Sequence, residues 1–260
     1  MNTILIGAGN LAFHLGQRLQ KLPSVNITQV FSRDLQKAKE LAHFLSCNAI
    51  NSLEQVKGDA EWYILAVSDG AIQKVAQALA TKVHAKALVV HTSGATPGSI
   101  FVPYFKRYGV FYPLQSFSRQ REVAFDQIPI CVYANHEDDQ NNLLKIGKLI
   151  SEKVQVIDDF QRAQLHVAAV FANNFTNSLL ENAYALCEEA NIPFDILIPL
   201  IRESINKVEN NRPIDVQTGP ASRGDATTIL RHLQLLENKT DLQKVYKLLS
   251  LQINPKLEFE

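Results

Sequence analysis

The sequence has no excess of either charge. Its 260 residues carry 26 lysines and arginines against 26 aspartates and glutamates. A chain that binds nucleic acid or an anionic membrane surface by electrostatics needs a basic face, and this balance gives no sign of one. We therefore expect a small-molecule ligand, with neither nucleic acid nor membrane as a partner.

Cysteine is also scarce. Cys47, Cys131 and Cys187 are far apart and odd in number, and they show neither CxxC spacing nor histidines at metal-ligand spacing. This pattern predicts reduced thiols in a cytoplasmic protein and no metal site. A redox role for the thiols is the alternative.

Long apolar runs are missing as well. No run reaches the roughly 18 residues that a membrane-spanning helix requires. The chain starts Met-Asn-Thr and enters a strand pattern at once, without the basic segment or cleavage site of a secretory signal. We expect a soluble, cytoplasmic protein, long enough to bury a sizeable core without disulfides or metals.

Strand and helix patterns alternate over the first 157 residues. Short β-branched and aromatic runs alternate with helical periodicity, which is typical of a doubly wound, mostly parallel sheet. Strands are expected at residues 3–6, 27–31, 62–67, 87–91, 109–112, 128–133 and 154–157. Helices are expected at residues 11–21, 35–46, 71–79 and 138–152.

From residue 158 onward the pattern is helical only. A long helix over 160–190 ends at Asn191-Ile192-Pro193, and further helices are expected at 194–208, 225–236 and 240–251. The fold class we predict is α/β: a Rossmann-like domain over residues 1–157, followed by an all-α domain over residues 158–260.

The stretch TILIGAGNLAFHLGQRL places three small residues between a strand and a helix. Gly7 permits a tight turn, Gly9 lets the backbone approach a pyrophosphate, and Ala12 lets the helix pack against the strand. The N–H groups at the start of the helix favour phosphate. The motif predicts a dinucleotide site; a Rossmann-like domain that has lost its ligand is the alternative.

The second strand ends in Phe31-Ser32-Arg33-Asp34. An acid at this place hydrogen-bonds the ribose 2′-hydroxyl of NAD, whereas an arginine accommodates the 2′-phosphate of NADP. Ser32 can donate to that phosphate, and Arg33 adds a permanent charge. Asp34 is expected to cap the next helix. We therefore predict NADP rather than NAD, with a merely solvated Arg33 as the alternative.

Two further turns follow strands at the edge where open sheets bind ligands, namely Ala66-Val67-Ser68-Asp69 and His91-Thr92-Ser93-Gly94. The alternatives are that Ser68 or Asp69 caps a helix and that His91 is a core histidine. The predicted cofactor-binding residues are Gly7, Ala8, Gly9, Asn10, Leu11, Ala12, Ser32, Arg33, Ala66, Val67, Ser68 and Ser93.

The long helix over 160–190 carries a polar stripe. At about 100° per residue, the side chains on one face are those of Arg162, His166, Asn173, Asn177 and Glu181. A buried polar group without a partner costs about 1–3 kcal/mol, so the stripe requires internal partners or a ligand. We predict His166 as acid and base, and Asn173 and Asn177 as catalytic residues that orient the substrate. A polar helix–helix interface is the alternative.

The stretch TGPASRGDATTILRHL holds the last candidate. Arg223 stands just before a helix that Asp225 is placed to cap. Arg223 either clamps an anionic substrate or pairs with Asp225 or a helix end.

Together these motifs resemble those of NADP oxidoreductases that couple a Rossmann-like domain to a C-terminal helical domain of unknown function. The matching segments are Gly-x-Gly-x-x-Ala, Ser-Arg, Ala-Val-Ser-Asp, His-Thr-Ser-Gly, FYPLQSFS, the helix with His and paired Asn, and Gly-Pro-x-x-Arg-Gly-Asp-x-x-Thr. More distantly the chain is similar to pyrroline-5-carboxylate reductase, ketopantoate reductase and prephenate dehydrogenase. The resemblance implies hydride transfer at an interdomain cleft and an all-α domain like the C-terminal domain of 6-phosphogluconate dehydrogenase, which usually forms dimers.

Two positions depart from those distant relatives. Tyr112 occupies the place of a histidine in prephenate dehydrogenases. Ketopantoate and hydroxyacid relatives have a lysine four residues before an asparagine, whereas His166 is followed by Val170 at that spacing. Either His166 replaces the lysine as proton donor, or the chemistry has changed or been lost.

We therefore predict an NADP-dependent oxidoreductase that transfers a hydride between NADP(H) and a small carbonyl, imine or hydroxy substrate, as a homodimer through its helical domain. A non-catalytic dinucleotide sensor is one alternative. Hydride exchange with a deazaflavin or flavin is another, and it requires an aromatic cavity beside Ser93 and Tyr112. The predicted substrate-binding residues are Ser93, Gly94, Gln115 and Arg223.

Overall fold

The computed structural model describes residues 1–259. The chain divides into two compact units, Met1–Val170 and Phe171–Glu260. The division falls later than the domain boundary predicted after residue 157. The physical reason is that the helix which follows residue 158 is held to the first unit by the buried side chain of Arg162.

The first unit is built on a single sheet of eight strands in the order β3-β2-β1-β4-β5-β6-β7-β8. Every neighbouring pair is parallel except β6 and β7. The doubly wound, mostly parallel sheet is thereby confirmed. The strands are β1 (Asn2–Ile6), β2 (Asn26–Phe31), β3 (Asn48–Ile50), β4 (Trp62–Leu65), β5 (Leu88–His91), β6 (Arg107–Pro113), β7 (Ile130–Ala134) and β8 (Val154–Val156).

The strand order reverses next to β1, which has β2 on one side and β4 on the other. Ile6 is level with Phe31 of β2 and with Leu65 of β4. The carboxyl ends of these three strands therefore lie side by side, and such a reversal point is where open α/β sheets bind ligands.

Helices cover both faces of this sheet. They are α1 (Asn10–Gln20), α2 (Leu35–Leu45), α3 (Asp69–Leu79), α4 (Glu137–Ile150) and α5 (Asp159–Ala169). Leu5 of β1 points into the core that α1, α2 and α4 close, and its neighbours Ile4 and Ile6 point into the core that α3 closes. Each such fully buried side chain contributes about 1.5–3 kcal/mol to folding.

Two aspartates fix where helices begin. Asp34 accepts hydrogen bonds from the N–H groups of Gln36 and Lys37, which confirms its predicted role as the cap of α2. Asp158 and Gln161 form a reciprocal capping box at the start of α5.

The second unit is helical, as predicted. A π-helical turn (Val170–Phe175) is followed by α6 (Thr176–Glu189), α7 (Ile198–Asn210), α8 (Pro220–Arg223), α9 (Ala226–Leu235) and α10 (Thr240–Ile253). Its buried core consists of Ala221, Ile229 and Leu233. No residue of α6 or α7 is buried. Over residues 1–259, no helix combines the length and apolar character needed to cross a bilayer.

Candidate functional site

The turn after β1 requires its first glycine. Gly7 has φ +124°, and a β-carbon there would lie 2.1 Å from the carbonyl oxygen of Ala66. The Gly7 N–H donates to the Phe31 carbonyl at 2.8 Å, which holds the turn against β2. Only glycine satisfies both the backbone angle and the close contact with Ala66, the residue after β4.

The second glycine is not required by the protein itself. Gly9 is the N-cap of α1, and no protein atom lies within 4 Å of the position that a β-carbon would take. No side chain caps the helix, and its first turn carries no acidic residue. The exposed N–H groups and the open space before them suit a phosphate group.

A pocket of about 440 Å³ opens beside this turn. It is bounded by the turn itself and by the segments that follow β2 and β4. The structure brings together many of the predicted cofactor residues here, namely Gly7, Ala8, Gly9, Ser32, Arg33, Ala66, Val67 and Ser68. The other lining residues are Phe31, Leu53, Ala71, Lys74 and Val75.

The charge of this pocket is positive. Arg33 and Lys74 line it and are exposed, and no carboxylate is among its lining residues. Neither cation forms an ion pair with any part of the described chain, residues 1–259. Asp34, the nearest acid in sequence, is occupied as a helix cap. Sequence reasoning missed Lys74, because no motif marks it and only the packing of α3 brings it to the pocket.

Four of the predicted cofactor residues do not line this pocket. Ala12 is fully buried and Leu11 packs against the core, so both serve helix packing. Asn10 donates from its amide to the Phe117 carbonyl at 3.0 Å. Ser93 is buried, and its hydroxyl oxygen accepts hydrogen bonds from Ala95 and Thr96, which makes it a turn-capping residue.

The segment after β6 lies across the glycine-rich turn, and we call residues 115–121 the strap. The guanidinium of Arg119 donates to the Ala8 carbonyl at 2.7 Å and pairs with Glu40 at 3.0 Å. His14 on α1 donates to the Ser118 carbonyl at 2.9 Å. Gln115, a predicted substrate-binding residue, is exposed, and its side-chain oxygen accepts from the Ser116 N–H. Sequence reasoning missed Arg119.

A second cluster joins three elements of the first unit. The Tyr112 hydroxyl at the end of β6 lies 3.3 Å from Nδ1 of His166 on α5. Gly94, in the turn after β5, packs against both residues. A β-carbon at Gly94 would lie 2.6 Å from His166 Nδ1 and 2.6 Å from Tyr112 Cζ. Burial raises the pKa of Tyr112 to about 12, so its hydroxyl keeps its proton. Sequence analysis noted Tyr112 as a departure from relatives and as a neighbour of a possible flavin cavity, and did not pair it with His166.

Arg162 lies one turn before His166 and is only 1% exposed. Its Nη2 donates to the Thr96 carbonyl and to the Asp159 carboxylate, both at 2.7 Å. Its Nε and Nη1 have no partner within residues 1–259. Burial acts to raise the pKa of Asp159, but the Gly98 N–H and the Arg162 guanidinium outweigh it and hold the pKa below its usual value.

His91 is a core histidine, which was the alternative to a place beside the cofactor. It is fully buried, and its Nδ1 accepts from the Ser93 N–H. Burial, and after it the charge of Arg162, lowers the pKa of His91 to about 4. The ring is therefore neutral at ordinary pH.

Three predicted residues belong to the second unit. Asn173 lies within the π-helical turn and Asn177 shortly after it, and both are exposed. The even 100° rotation that defines the polar stripe does not hold within Val170–Phe175, because a π turn is wider than an α turn. Arg223 is exposed and makes no ion pair within residues 1–259, while Asp225 caps α9 through Thr228. Catalytic or substrate-binding roles for these residues stay predictions.

In the described part of the chain, no group of three or more histidine, cysteine, aspartate or glutamate side chains is placed to hold a metal ion. The three cysteines are free thiols.

Comparison with family models gives two matches. Residues 3–94 match the family described as NADP oxidoreductase, coenzyme F420-dependent. Residues 128–253 match the family described as Domain of unknown function (DUF2520). No curated protein matches the sequence significantly.

Solved structures give the same picture. A candidate NADP oxidoreductase from Bacteroides fragilis is 39% identical, covers 98% of both chains and superposes with a TM-score of 0.91. An imine reductase from Myxococcus stipitatus in complex with NADP⁺ is 12% identical, with 98% of this chain and 93% of that chain covered and a TM-score of 0.72. A pyrroline-5-carboxylate reductase from Coxiella burnetii is 15% identical, with coverage of 97% and 98% and a TM-score of 0.58. The last two show likeness of fold.

Proposed function

Since this chain belongs to the NADP oxidoreductases that join a coenzyme-F420-type N-terminal domain to a DUF2520 domain, we propose that it transfers a hydride between NADP(H) and a small carbonyl, imine or hydroxy compound. NADP(H) is the cofactor of this family. The observation that carries the proposal is the pocket beside Gly7 and Gly9, with Arg33 and Lys74 on its wall and no carboxylate.

The pocket matches the chemistry that distinguishes NADP from NAD. The 2′-phosphate adds close to two negative charges, which Arg33 and Lys74 are able to neutralise, while Ser32 offers a hydroxyl. A hydrogen bond to a charged group contributes about 1.5–3 kcal/mol. Because both cations are exposed, we assign each about 1–2 kcal/mol after screening by solvent.

The reduced cofactor supplies the hydride when it is bound. We assign His166 as the residue that gives a proton to the substrate during reduction and takes it back in the reverse direction. Within the first unit, Ser93, Gly94 and Gln115 are assigned to bind the polar groups of the substrate. Catalytic or substrate-binding roles for Asn173, Asn177 and Arg223 of the second unit stay predictions. Support for His166 comes from its fixed place beside Gly94 and Tyr112, within the same unit as the dinucleotide pocket.

We further propose that the helical unit forms a homodimer. Helices α6 and α7 contain no buried residue, yet they expose large apolar side chains such as Leu200 (64% exposed) and Ile205 (55%) on α7. A helix pair without a core of its own requires a partner surface, and a second copy of the chain supplies the same apolar face. Leu200→Glu is expected to lower the mass in sedimentation equilibrium, with Leu235→Glu on α9 as the control.

The test of function is calorimetric titration with NADPH and with NADH. We expect NADPH to bind more tightly, and Arg33→Gln to weaken NADPH binding about 5- to 30-fold while changing NADH binding little. Lys148→Gln on α4 removes one positive charge outside the pocket and is the matched control. Equal binding of both nucleotides by the wild type would contradict the assignment of Arg33.

A screen of carbonyl and imine compounds, read by loss of NADPH absorbance, then separates an enzyme from a sensor. Turnover that disappears in His166→Gln supports the enzyme. Tight NADPH binding without turnover across the screen favours the non-catalytic sensor. A parallel screen with a deazaflavin tests the hydride partner that the description of the N-terminal family names.

A further inference from the structure

The hydrogen bond between Tyr112 and His166 can run in either of two directions. The Tyr112 hydroxyl lies 3.3 Å from Nδ1 of His166, and either the hydroxyl donates to Nδ1 or a protonated Nδ1 donates to the hydroxyl oxygen. Tyr112 keeps its proton across the neutral range because burial raises its pKa to about 12. A neutral imidazole has one nitrogen that accepts and one that donates. If the phenol donates, Nδ1 accepts and the ring proton lies on Nε2; if Nδ1–H donates, the phenol oxygen accepts.

We propose that Tyr112 and His166 form a proton relay, in which Tyr112 acts through His166 and fixes the tautomer that places the ring proton on Nε2. The proposal rests on the proposed function, in which His166 supplies the proton. Tyr112 is thus a positioning residue that does not itself need to contact the substrate.

The proton balance of the relay is closed. Reduction makes the carbonyl oxygen or imine nitrogen of the substrate more basic, and this atom takes the proton from Nε2 of His166. Nδ1 then takes the proton of the Tyr112 hydroxyl, so the imidazole stays neutral and a tyrosinate remains. Burial raises the pKa of Tyr112 to about 12, and the charge of Arg162 offsets this effect only in part, so the tyrosinate readily takes a proton back. Water returns the proton to Tyr112 after the product leaves.

The geometry of the relay is held from three sides. Gly94 packs directly against both partners, since a β-carbon at that position would clash with each of them. Arg162 ties α5 to the turn after β5 through the Thr96 carbonyl, and Asp159 ties it through the Gly98 N–H at 2.9 Å. Arg162 and His166 are four residues apart and therefore share one face of α5. The two hydrogen bonds thus also fix the direction in which His166 points.

Charged and titratable groups on three elements surround the pair. Arg162 and Asp159 on α5 form a pair with each other. Cys131 on β7 and Asp69 on α3 act on Tyr112 and raise its pKa further, after the effect of burial. His166 itself forms no ion pair within residues 1–259.

The protonation of each ring nitrogen can be measured on the ligand-free protein by long-range ¹H–¹⁵N correlation with ¹⁵N-histidine labelling. His166→Gln identifies the His166 signals among the seven histidines. We expect a proton on Nε2 and an Nδ1 signal typical of a hydrogen-bond acceptor. Tyr112→Phe is expected to move the Nδ1 signal to that of a nitrogen without a hydrogen bond. A proton on Nδ1 in the wild type overturns the proposal.

The chain offers a matched control pair. In the second unit the Tyr246 hydroxyl lies 2.8 Å from Nδ1 of His232. Tyr246→Phe should move the His232 signals and leave those of His166 unchanged. If Tyr246→Phe and Tyr112→Phe both move the His166 signals, the shift is a general effect and the relay is refuted.

Kinetics separates this inference from the proposed function. With a substrate found in the screen, Tyr112→Phe should lower kcat about 10- to 100-fold and leave the Kd for NADPH unchanged. The double variant with His166→Gln should be no slower than His166→Gln alone, since the two residues act as one unit. Loss of NADPH binding in the wild type would instead contradict the proposed function, while full turnover in Tyr112→Phe would overturn only the relay.

Discussion

The buried guanidinium of Arg162 donates to the carboxylate of Asp159 one helical turn earlier, at 2.7 Å. The same Nη2 atom donates to the Thr96 carbonyl, and the same carboxylate oxygen accepts from the Gly98 N–H. One ion pair on α5 therefore binds the segment after β5 at two points, Thr96 and Gly98. A charge as deeply buried as that of Arg162 is tolerated only with such a partner.

Asp159→Asn should lower the free energy of unfolding by about 1–3 kcal/mol at pH 7, since it leaves Arg162 buried without its counter-charge. The pKa of Asp159 is lowered in the folded state, so its contribution is present above the ordinary value of 3.8 and is lost as pH falls through the folded value. Urea unfolding at pH 7 and pH 3 measures both effects. Glu152→Gln, an exposed neutralisation, is the control, and an equal loss at the two pH values would contradict the argument.

His91 should cause a second pH dependence of stability, at higher pH than that of Asp159. Its folded pKa of about 4 lies below the ordinary 6.5, so the unfolded chain binds more protons between these values. Stability should therefore decrease as pH falls from 6.5 to 4, by roughly 3 kcal/mol in total. His91→Gln should be less stable at pH 7 but should lack this slope. An unchanged slope in the variant would assign it to another group.

The two glycines of the dinucleotide turn should respond differently to alanine. Gly7→Ala places a β-carbon 2.1 Å from the Ala66 carbonyl oxygen at a positive φ, so we expect a loss of stability of about 3 kcal/mol or more. Gly9→Ala meets no protein atom within 4 Å and should fold normally. NADPH affinity should nevertheless fall tenfold or more, because the new methyl group occupies space that the pyrophosphate needs. Thermal melts and calorimetry separate the two outcomes; normal NADPH affinity in Gly9→Ala would remove the pyrophosphate from this position.

The strap should contribute to cofactor affinity although none of its residues lines the dinucleotide pocket. Arg119→Ala removes the hydrogen bond to the Ala8 carbonyl and the pair with Glu40, so the glycine-rich turn loses a restraint. We expect the Kd for NADPH to rise about 5- to 30-fold, equivalent to about 1–2 kcal/mol. Arg121→Ala in the same segment is the control. Equal effects of the two variants would point to the overall charge of the strap and not to the bond with Ala8.

Much of the site could be predicted because its residues are contiguous in sequence. Gly7 and Gly9 lie within one turn, and Ser32 and Arg33 directly follow a strand, so strand and helix periodicity alone places them at the same sheet edge. The strand β3 was missed because Asn48–Ile50 is too short to show alternation. The π-helical turn was missed because apolar spacing does not reveal a shift of backbone hydrogen bonds.

The sequence by itself determined the order of elements, the doubly wound sheet, the dinucleotide turn and the basic residue after β2, since each depends on local spacing and side-chain chemistry. Only the tertiary structure brought Lys74 to the wall of the pocket, Arg119 to the Ala8 carbonyl, and Tyr112 and Gly94 to His166. These contacts join residues distant in the chain. They depend on how the helices pack on the sheet, which no local pattern records.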